Sequence, residues 1–156
     1  MKRYPTSEES YGLYILLAQT REALYKARAK ELNKYGISPR QSAVLFIIKS
    51  IGENATPAEI SRRLFREPHS VAGILDRMEE QGLITKSKDL ERKNMVRVSI
   101  TEKGEKAYSQ CSKREAPSKL FSALSVGERR TLESSLRKLR AAALEEIDWK
   151  EELPFP

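Results

Sequence analysis

Cysteine is nearly absent from this chain: Cys111 stands alone among 156 residues. A lone thiol forms no intrachain disulfide, so the fold must rest on its core, and a reducing compartment is expected. Histidine is equally scarce. His69 is the single example, and no acid or thiol stands at ligand spacing beside it, which argues against a metal centre. There is no glycine-rich phosphate loop, and no Ser/His/Asp set has a scaffold on which to converge, so neither a catalytic residue nor a cofactor is assigned and an enzyme is not expected. No apolar run is long enough to span a bilayer, and Met1-Lys2-Arg3-Tyr4-Pro5-Thr6 lacks the apolar stretch of a signal peptide. The expected location is therefore cytoplasmic. Internal repeats and low-complexity segments are also missing.

What is abundant is charge, at 33% of residues, with Lys and Arg exceeding Asp and Glu by 29 to 22 for a net +7. Such an excess draws in polyanions. It is spread thinly, however: residues 1–55 carry +4, residues 56–101 carry +2 and residues 102–156 carry +1. Placement of the cations, not their total, must decide what they do.

Helix punctuation is dense. Ser38-Pro39-Arg40-Gln41, Thr56-Pro57-Ala58-Glu59 and Ser125-Val126-Gly127-Glu128 each read as a capping box, in which a hydroxyl and a side chain three residues on satisfy each other's backbone donors. Pro39, Pro57 and Pro68 fall at first helical positions, where a missing N–H costs nothing. Gly36, Gly52 and Gly82 fall where helices should end. Between these marks the spacing predicts helices over about 8–35, 39–51, 57–65 and 68–81. The period then changes: Val96, Val98 and Ile100 alternate with Arg97 and Ser99, as in a half-buried strand, with Leu83–Ser87 as its antiparallel partner. Thr101 caps a further helix, interrupted near Pro117, and a last helix runs over about 126–148 with Leu132, Leu136, Leu139, Ala143 and Ile147 on one face.

The expected fold class is mainly α with a small β-hairpin wing: a winged helix-turn-helix over 38–100, flanked by N-terminal (1–37) and C-terminal (101–156) dimerisation helices. In the 68–81 helix, Val71, Ile74, Leu75 and Met78 form one apolar stripe that must face the core. Pro68, His69, Ser70, Ala72, Gly73 and Arg77 then fall at its start or on its outer face, small and polar enough to enter a major groove. The acids Asp76, Glu79 and Glu80 lie in its second half, which leaves the positive end of the helix dipole to meet phosphate. In the hairpin loop, Lys88, Arg92 and Lys93 are candidates for a minor groove. Arg40, Arg62, Arg63 and Arg66 are candidates for phosphates, which fix register without reading sequence. A solvated amphipathic helix beside a cationic turn accounts for the same pattern. A winged-helix protein–protein module and a nonspecific architectural DNA-binding protein therefore stand as alternatives.

Three strings resemble the MarR family of bacterial and archaeal regulators. Thr56-Pro57-Ala58-Glu59-Ile60-Ser61 is similar to the first helix of its reading motif. Ser70-Val71-Ala72-Gly73-Ile74-Leu75-Asp76-Arg77-Met78-Glu79-Glu80-Gln81-Gly82-Leu83-Ile84 is similar to its recognition helix and first wing strand. Val96-Arg97-Val98-Ser99-Ile100-Thr101-Glu102-Lys103-Gly104 is similar to the last wing strand and the cap that follows. The resemblance implies a homodimer that binds a pseudo-palindromic operator in double-stranded DNA, as a repressor, with reading helices roughly 34 Å apart. It also implies a small aromatic effector, for which Tyr11 and Tyr14, with Tyr25, are candidate pocket residues; interface packing explains tyrosines at that spacing equally well. The wing departs from the family pattern. Where an Asp-x-Arg is expected before Thr101, the chain has Arg92-Lys93-Asn94, and a one-residue slip gives Glu91-Arg92-Lys93. Arg92 is the expected minor-groove residue. Cys111 reads as a packing residue in preference to a redox sensor.

Overall fold

The computed structural model describes residues 6–89, 91, 92, 95–151 and 153. Its elements follow the sequence's own punctuation. Helix α1 (Ser7–Leu32) ends in a 3₁₀ turn (Asn33–Tyr35) and is followed by α2 (Pro39–Ile51), α3 (Pro57–Leu64) and α4 (Pro68–Glu80). Strands β1 (Ile84–Lys88) and β2 (Val96–Ile100) form an antiparallel hairpin. Helices α5 (Glu102–Cys111), α6 (Glu115–Phe121) and α7 (Val126–Glu146) complete the chain. Among the described residues no helix is long and apolar enough to cross a membrane.

Two of the three expected capping boxes form in full, at Ser38/Gln41 and Ser125/Glu128. The third is one-sided: Thr56 accepts from the Glu59 N–H, but Glu59 does not return the bond because its carboxylate is held by Arg62 and Arg63. A further box, Thr6/Glu9, starts α1. The expected break near Pro117 lies three residues earlier, at Arg114, whose backbone is left-handed (φ +50). Pro117 falls in the first turn of α6, where its ring is tolerated. Strand β1 starts one residue later than expected, in the register Ile84↔Ile100 through Lys88↔Val96.

A single core joins the helices to the hairpin. Val44, Leu45 and Ile48 of α2, Ile60 of α3, and Val71, Leu75 and Met78 of α4 pack with Ile84, Val98, Ala107 and Cys111, all essentially solvent-free. Each buried Val, Leu, Ile or Met among them contributes roughly 1.5–3 kcal/mol. The apolar stripe of α4 is thus spent on the core, with Ile74 at its half-buried margin. Polar links fix the relative placement of elements. Gln41 at the start of α2, itself buried, donates to Gln81 at the end of α4 (2.7 Å). The Val98 N–H donates to the Ala55 carbonyl (2.8 Å), which anchors the hairpin to the segment entering α3.

The hairpin's other anchor is the turn after α4. Gly82 adopts φ +72, and the Leu83 N–H returns to the Met78 carbonyl (2.9 Å), closing the helix end. Thr101 clips that turn to α5: its hydroxyl donates to the Gly82 carbonyl (2.5 Å) and accepts from the Gly104 N–H (3.0 Å), while its own N–H donates to the Leu83 carbonyl (3.1 Å). Gly104 lies against this turn so closely that a Cβ there would strike the Leu83 carbonyl and fall 2.7 Å from Ile100 Cγ2.

Helices α1 and α7 are different in kind. Helix α7 buries no residue, and α1 buries only Leu32 at its end. Tyr11, Leu13, Tyr14, Leu16, Val126, Leu136, Leu139 and Ile147 are all exposed in the single chain.

Candidate nucleic-acid interface

Helix α4 presents the face that the apolar spacing dictates. Pro68, His69, Ala72, Gly73, Asp76 and Arg77 are exposed and Ser70 is half-buried, opposite the buried Val71, Leu75 and Met78. A Cβ at Gly73 would meet nothing within 4 Å, so the centre of this face is open. The expectation of an acid-free helix start needs correction. Glu67 is the N-cap residue and its side chain makes no capping bond, so an exposed carboxylate stands at the positive end of the helix. At the other end the acids are countered from the wing. Lys86 of β1 pairs with Asp76, lies 3.8 Å from Glu79, and donates its backbone N–H to Glu79 (3.1 Å).

The wing turn is built around Asp89. Its N–H donates to the Met95 carbonyl (2.9 Å), and its carboxylate accepts from the Glu91 N–H (3.1 Å) and from Arg97 Nη2 (2.8 Å). The Glu91 N–H, with Arg97 beside it, holds the Asp89 carboxyl below its usual range. The acid that orders this wing is therefore Asp89, not Glu91, and Arg97 is tied down with it. Arg92 accepts the Met95 N–H through its carbonyl (3.0 Å), and its exposed side chain makes no ion pair among the described residues. Lys88 is exposed at the end of β1. Lys93 lies outside the described residues.

The phosphate candidates divide. Arg62 and Arg63 both bind Glu59 (2.6 and 2.7 Å), at three and four residues' spacing on α3, and Arg62 also lies 3.9 Å from Glu151. These bonds, Arg62 first and Arg63 second, hold the Glu59 carboxyl down to about 2. Arg40 is exposed, with its guanidinium over the Tyr25 ring (5.5 Å to the centroid). Arg66 is half-buried beside the start of α4. The structure thus groups Pro68, His69, Ser70, Ala72, Gly73 and Arg77 on one helix with Lys88 and Arg92 on the adjoining hairpin. It commits Arg62 and Arg63 to an intrahelical acid that the Glu59, Arg62, Arg63 spacing already announced.

Tyr11 and Tyr14 stack on each other (centroids 6.1 Å apart) as an exposed pair on α1. A cleft of 370 Å³ lies elsewhere, where α1 and α2 meet the α5–α6 junction, walled by Arg28, Ser42, Phe46, Tyr108, Cys111 and Arg114. A polar network braces its floor. Arg28 binds Glu31 (2.6 Å) and the Cys111 carbonyl (2.7 Å), while the Glu31 carboxylate accepts from the Glu115 and Ala116 N–H groups (3.0 Å each) at the start of α6. Burial works to raise the Glu31 pKa, but Arg28 and these N–H groups outweigh it, and the carboxyl sits below its ordinary value. Cys111 is buried, which pushes its thiol up and away from a reactive thiolate. Among the described residues no group of three His, Cys, Asp or Glu side chains is placed to hold a metal ion.

Three helices, a two-stranded hairpin and an outward-facing α4 define the class: a winged helix-turn-helix. Residues 35–93 match the sequence model of the MarR family. The regulator FarR of Neisseria gonorrhoeae is 31% identical over 108 residues, 68% of this chain and 72% of the relative. The chain belongs to the MarR family and is a DNA-binding transcriptional regulator. An organohalide-sensing regulator, RdhR, solved with 2,4-dichlorophenol bound, superposes with a TM-score of 0.85 at 29% identity, covering 100% of this chain and 97% of that one. A MarR mutant from E. coli, complexed with operator DNA, shares the fold with a TM-score of 0.78 at 23% identity, covering 87% of this chain and 99% of that one.

Proposed function

We propose that the chain is a homodimeric repressor that reads a pseudo-palindromic operator with α4 and reaches an adjacent minor groove with Arg92. One observation carries this reading: α4 buries one complete face in the core and turns a small, polar one outward, beside a cationic hairpin. His69 and Ser70 stand where base edges would be read, with Ala72 and Gly73 allowing close approach. Arg77, Lys88, Arg40 and Arg66 supply phosphate contacts, for which Arg62 and Arg63 would first have to loosen from Glu59. The helices of 1–37 and 101–156 form the dimer, since Leu13, Leu16, Leu136 and Leu139 stand 42–66% exposed in the single chain and need a second copy to cover them.

The RdhR structure carries a small aromatic ligand, which supports an effector for this chain too. The cleft walled by Phe46, Tyr108, Arg28 and Arg114 suits one better than the exposed Tyr11/Tyr14 pair, because it is concave and joins the dimer helices to the DNA-binding core. Binding of genomic fragments, titrated against salt, tests the main reading. Specific retention of a palindromic site, weakening steeply as salt rises, is the expected result. Absence of binding at low salt would overturn it.

A further inference from the structure

The end of α7 is fastened to the turn between α3 and α4, and the backbone is strained on both sides of the fastening. Helix α3 closes with the Phe65 N–H on the Arg62 carbonyl and the Arg66 N–H on the Ser61 carbonyl (3.1 Å each). Helix α7 closes in the same way, with the Asp148 N–H on the Glu145 carbonyl (3.1 Å) and the Trp149 N–H on the Leu144 carbonyl (2.9 Å). A closure of this kind puts one residue in left-handed conformation, a place that glycine fills without penalty. Here Phe65 (φ +51) and Asp148 (φ +53) fill it. Side chains persist in that conformation only where their surroundings hold them, and such strain points to a use. What the two turns achieve is a meeting of rings: Phe65 and Trp149 pack edge-on, with centroids 5.0 Å apart and planes at 82°. Beside them Arg62 Nε lies 3.9 Å from the Glu151 carboxylate.

Neither ring belongs to the hydrophobic core. Their contact instead holds α7 at its far end. The helix has 21 residues, about 30 Å of rod. At its start, Arg129 donates to the Phe121 and Leu124 carbonyls and so ties it to α6. At its end, Trp149 ties it to the helix-turn-helix. Units joined by a small interface move relative to one another by default, and a rod pinned at both ends removes that freedom.

We propose that Trp149, seated against Phe65, is a positioning residue: it locks each α3–α4 unit to α7, fixes the separation of the two α4 helices in the homodimer, and thereby selects the spacing of the operator half-sites. This inference rests on the homodimeric reading above, in which half-site spacing follows from the separation of the reading helices.

Cys111 is buried, so a cysteine introduced by His69→Cys, at the exposed start of α4, takes a spin label selectively. Dipolar spectroscopy of the full chain without DNA then reads the distance between the two α4 helices. One narrow distribution is expected. Trp149→Ala should broaden it. Phe65→Gly should broaden it equally, although it relieves the left-handed strain and leaves the core intact. Trp149→Phe, which keeps a ring against Phe65, should restore the narrow distribution. In DNA binding, with His69 in place, the preference for the best half-site spacing over one lengthened by a base pair should fall about threefold to tenfold in Trp149→Ala, as loss of an aromatic pair allows. Trp149→Phe should recover it. A distribution that stays narrow in both ring-deleted variants would overturn the proposal, as would a broadened one with spacing preference unchanged. If the wild type retained no palindrome at any spacing, the repressor reading would fall, and the label distances would still decide whether Trp149 positions α4.

Discussion

Gly104→Ala is expected to lower stability even though the change favours a helix. Gly104 lies in the first turn of α5, where alanine would ordinarily gain about 0.5–1 kcal/mol over glycine. Here the added methyl would strike the Leu83 carbonyl oxygen, with the Leu83 carbonyl carbon at 3.1 Å and Ile100 Cγ2 at 2.7 Å. Leu83 cannot retreat freely. Its N–H closes the end of α4 on Met78 and its carbonyl accepts from Thr101, so moving it strains both the helix end and the wing's anchor. Overpacking against backbone typically costs about 1–3 kcal/mol, and the upper end applies where the obstacle is hydrogen-bonded. Subtracting the helix gain leaves a net loss of about 2 kcal/mol, or a fall of about 4–8 °C in melting temperature for a domain of this size. Gly73→Ala supplies the opposite sign in the same assay. Nothing lies within 4 Å of a Cβ there, so it should raise stability by about 0.5–1 kcal/mol. Thermal melts followed by circular dichroism read both. A Gly104→Ala protein melting with or above the wild type would refute the close approach of α5 to Leu83.

The other perturbations address the proposed DNA-reading surface and the polar anchors. Arg92→Ala should weaken DNA binding evenly across sequences and reduce the slope of log K against log salt by about 1 per protomer. An unchanged slope would place Arg92 off the phosphates and out of the groove. His69→Ala should instead change which bases are preferred, by about 1–3 kcal/mol at the affected position; untouched preference in a randomised-site selection would contradict the docking of α4. Glu59 titrates at about 2 in the fold, below its usual 4.5, so its stabilisation is complete above pH 4.5 and fades as pH falls toward 2. With its side chain 28% exposed, Glu59→Gln should cost about 1 kcal/mol at pH 7, and the gap to wild type should close in acid melts. Glu31→Ala should cost about 3 kcal/mol, because it leaves the Arg28 guanidinium, 15% exposed, without its counter-charge; a melting temperature within a degree of wild type would exclude this role.

What was legible in the sequence was whatever a few neighbouring residues decide. Caps at Ser38, Thr56, Thr101 and Ser125 and prolines at 39, 57 and 68 set helix starts, and the switch to alternating Val96, Val98 and Ile100 set the hairpin. The α4 face followed from spacing alone, since Val71, Leu75 and Met78 can share only one side of a helix. The partner of each charge was less legible. Glu59 stands three and four residues before Arg62 and Arg63, a local signal that a reading focused on cations passes over. Asp89 and Arg97 meet only once the hairpin register sets Arg97 opposite Ser87. Nothing in the sequence links Phe65 to Trp149, because their contact needs two non-glycine residues in left-handed conformation 83 positions apart.

These pairings change what basic composition means here. Of the arginines that stand near α4 in sequence, Arg62, Arg63 and Arg97 each hold an acid of the same domain, and a phosphate would have to compete with that acid. Arg77, Arg92 and Lys88 are exposed and make no ion pair among the described residues. Asp76, facing outward on α4, is countered by Lys86 of the wing strand. If this surface meets DNA, its affinity should therefore respond more to Arg77, Arg92 and Lys88 than to Arg62 and Arg63 of α3. Single alanine replacements at Arg62 and Arg92 compare the two directly. Since Arg62 would have to leave Glu59 to bind a phosphate, its loss should change the salt slope less than the loss of Arg92. The reverse order would mean that DNA strips Glu59 of its partners on binding.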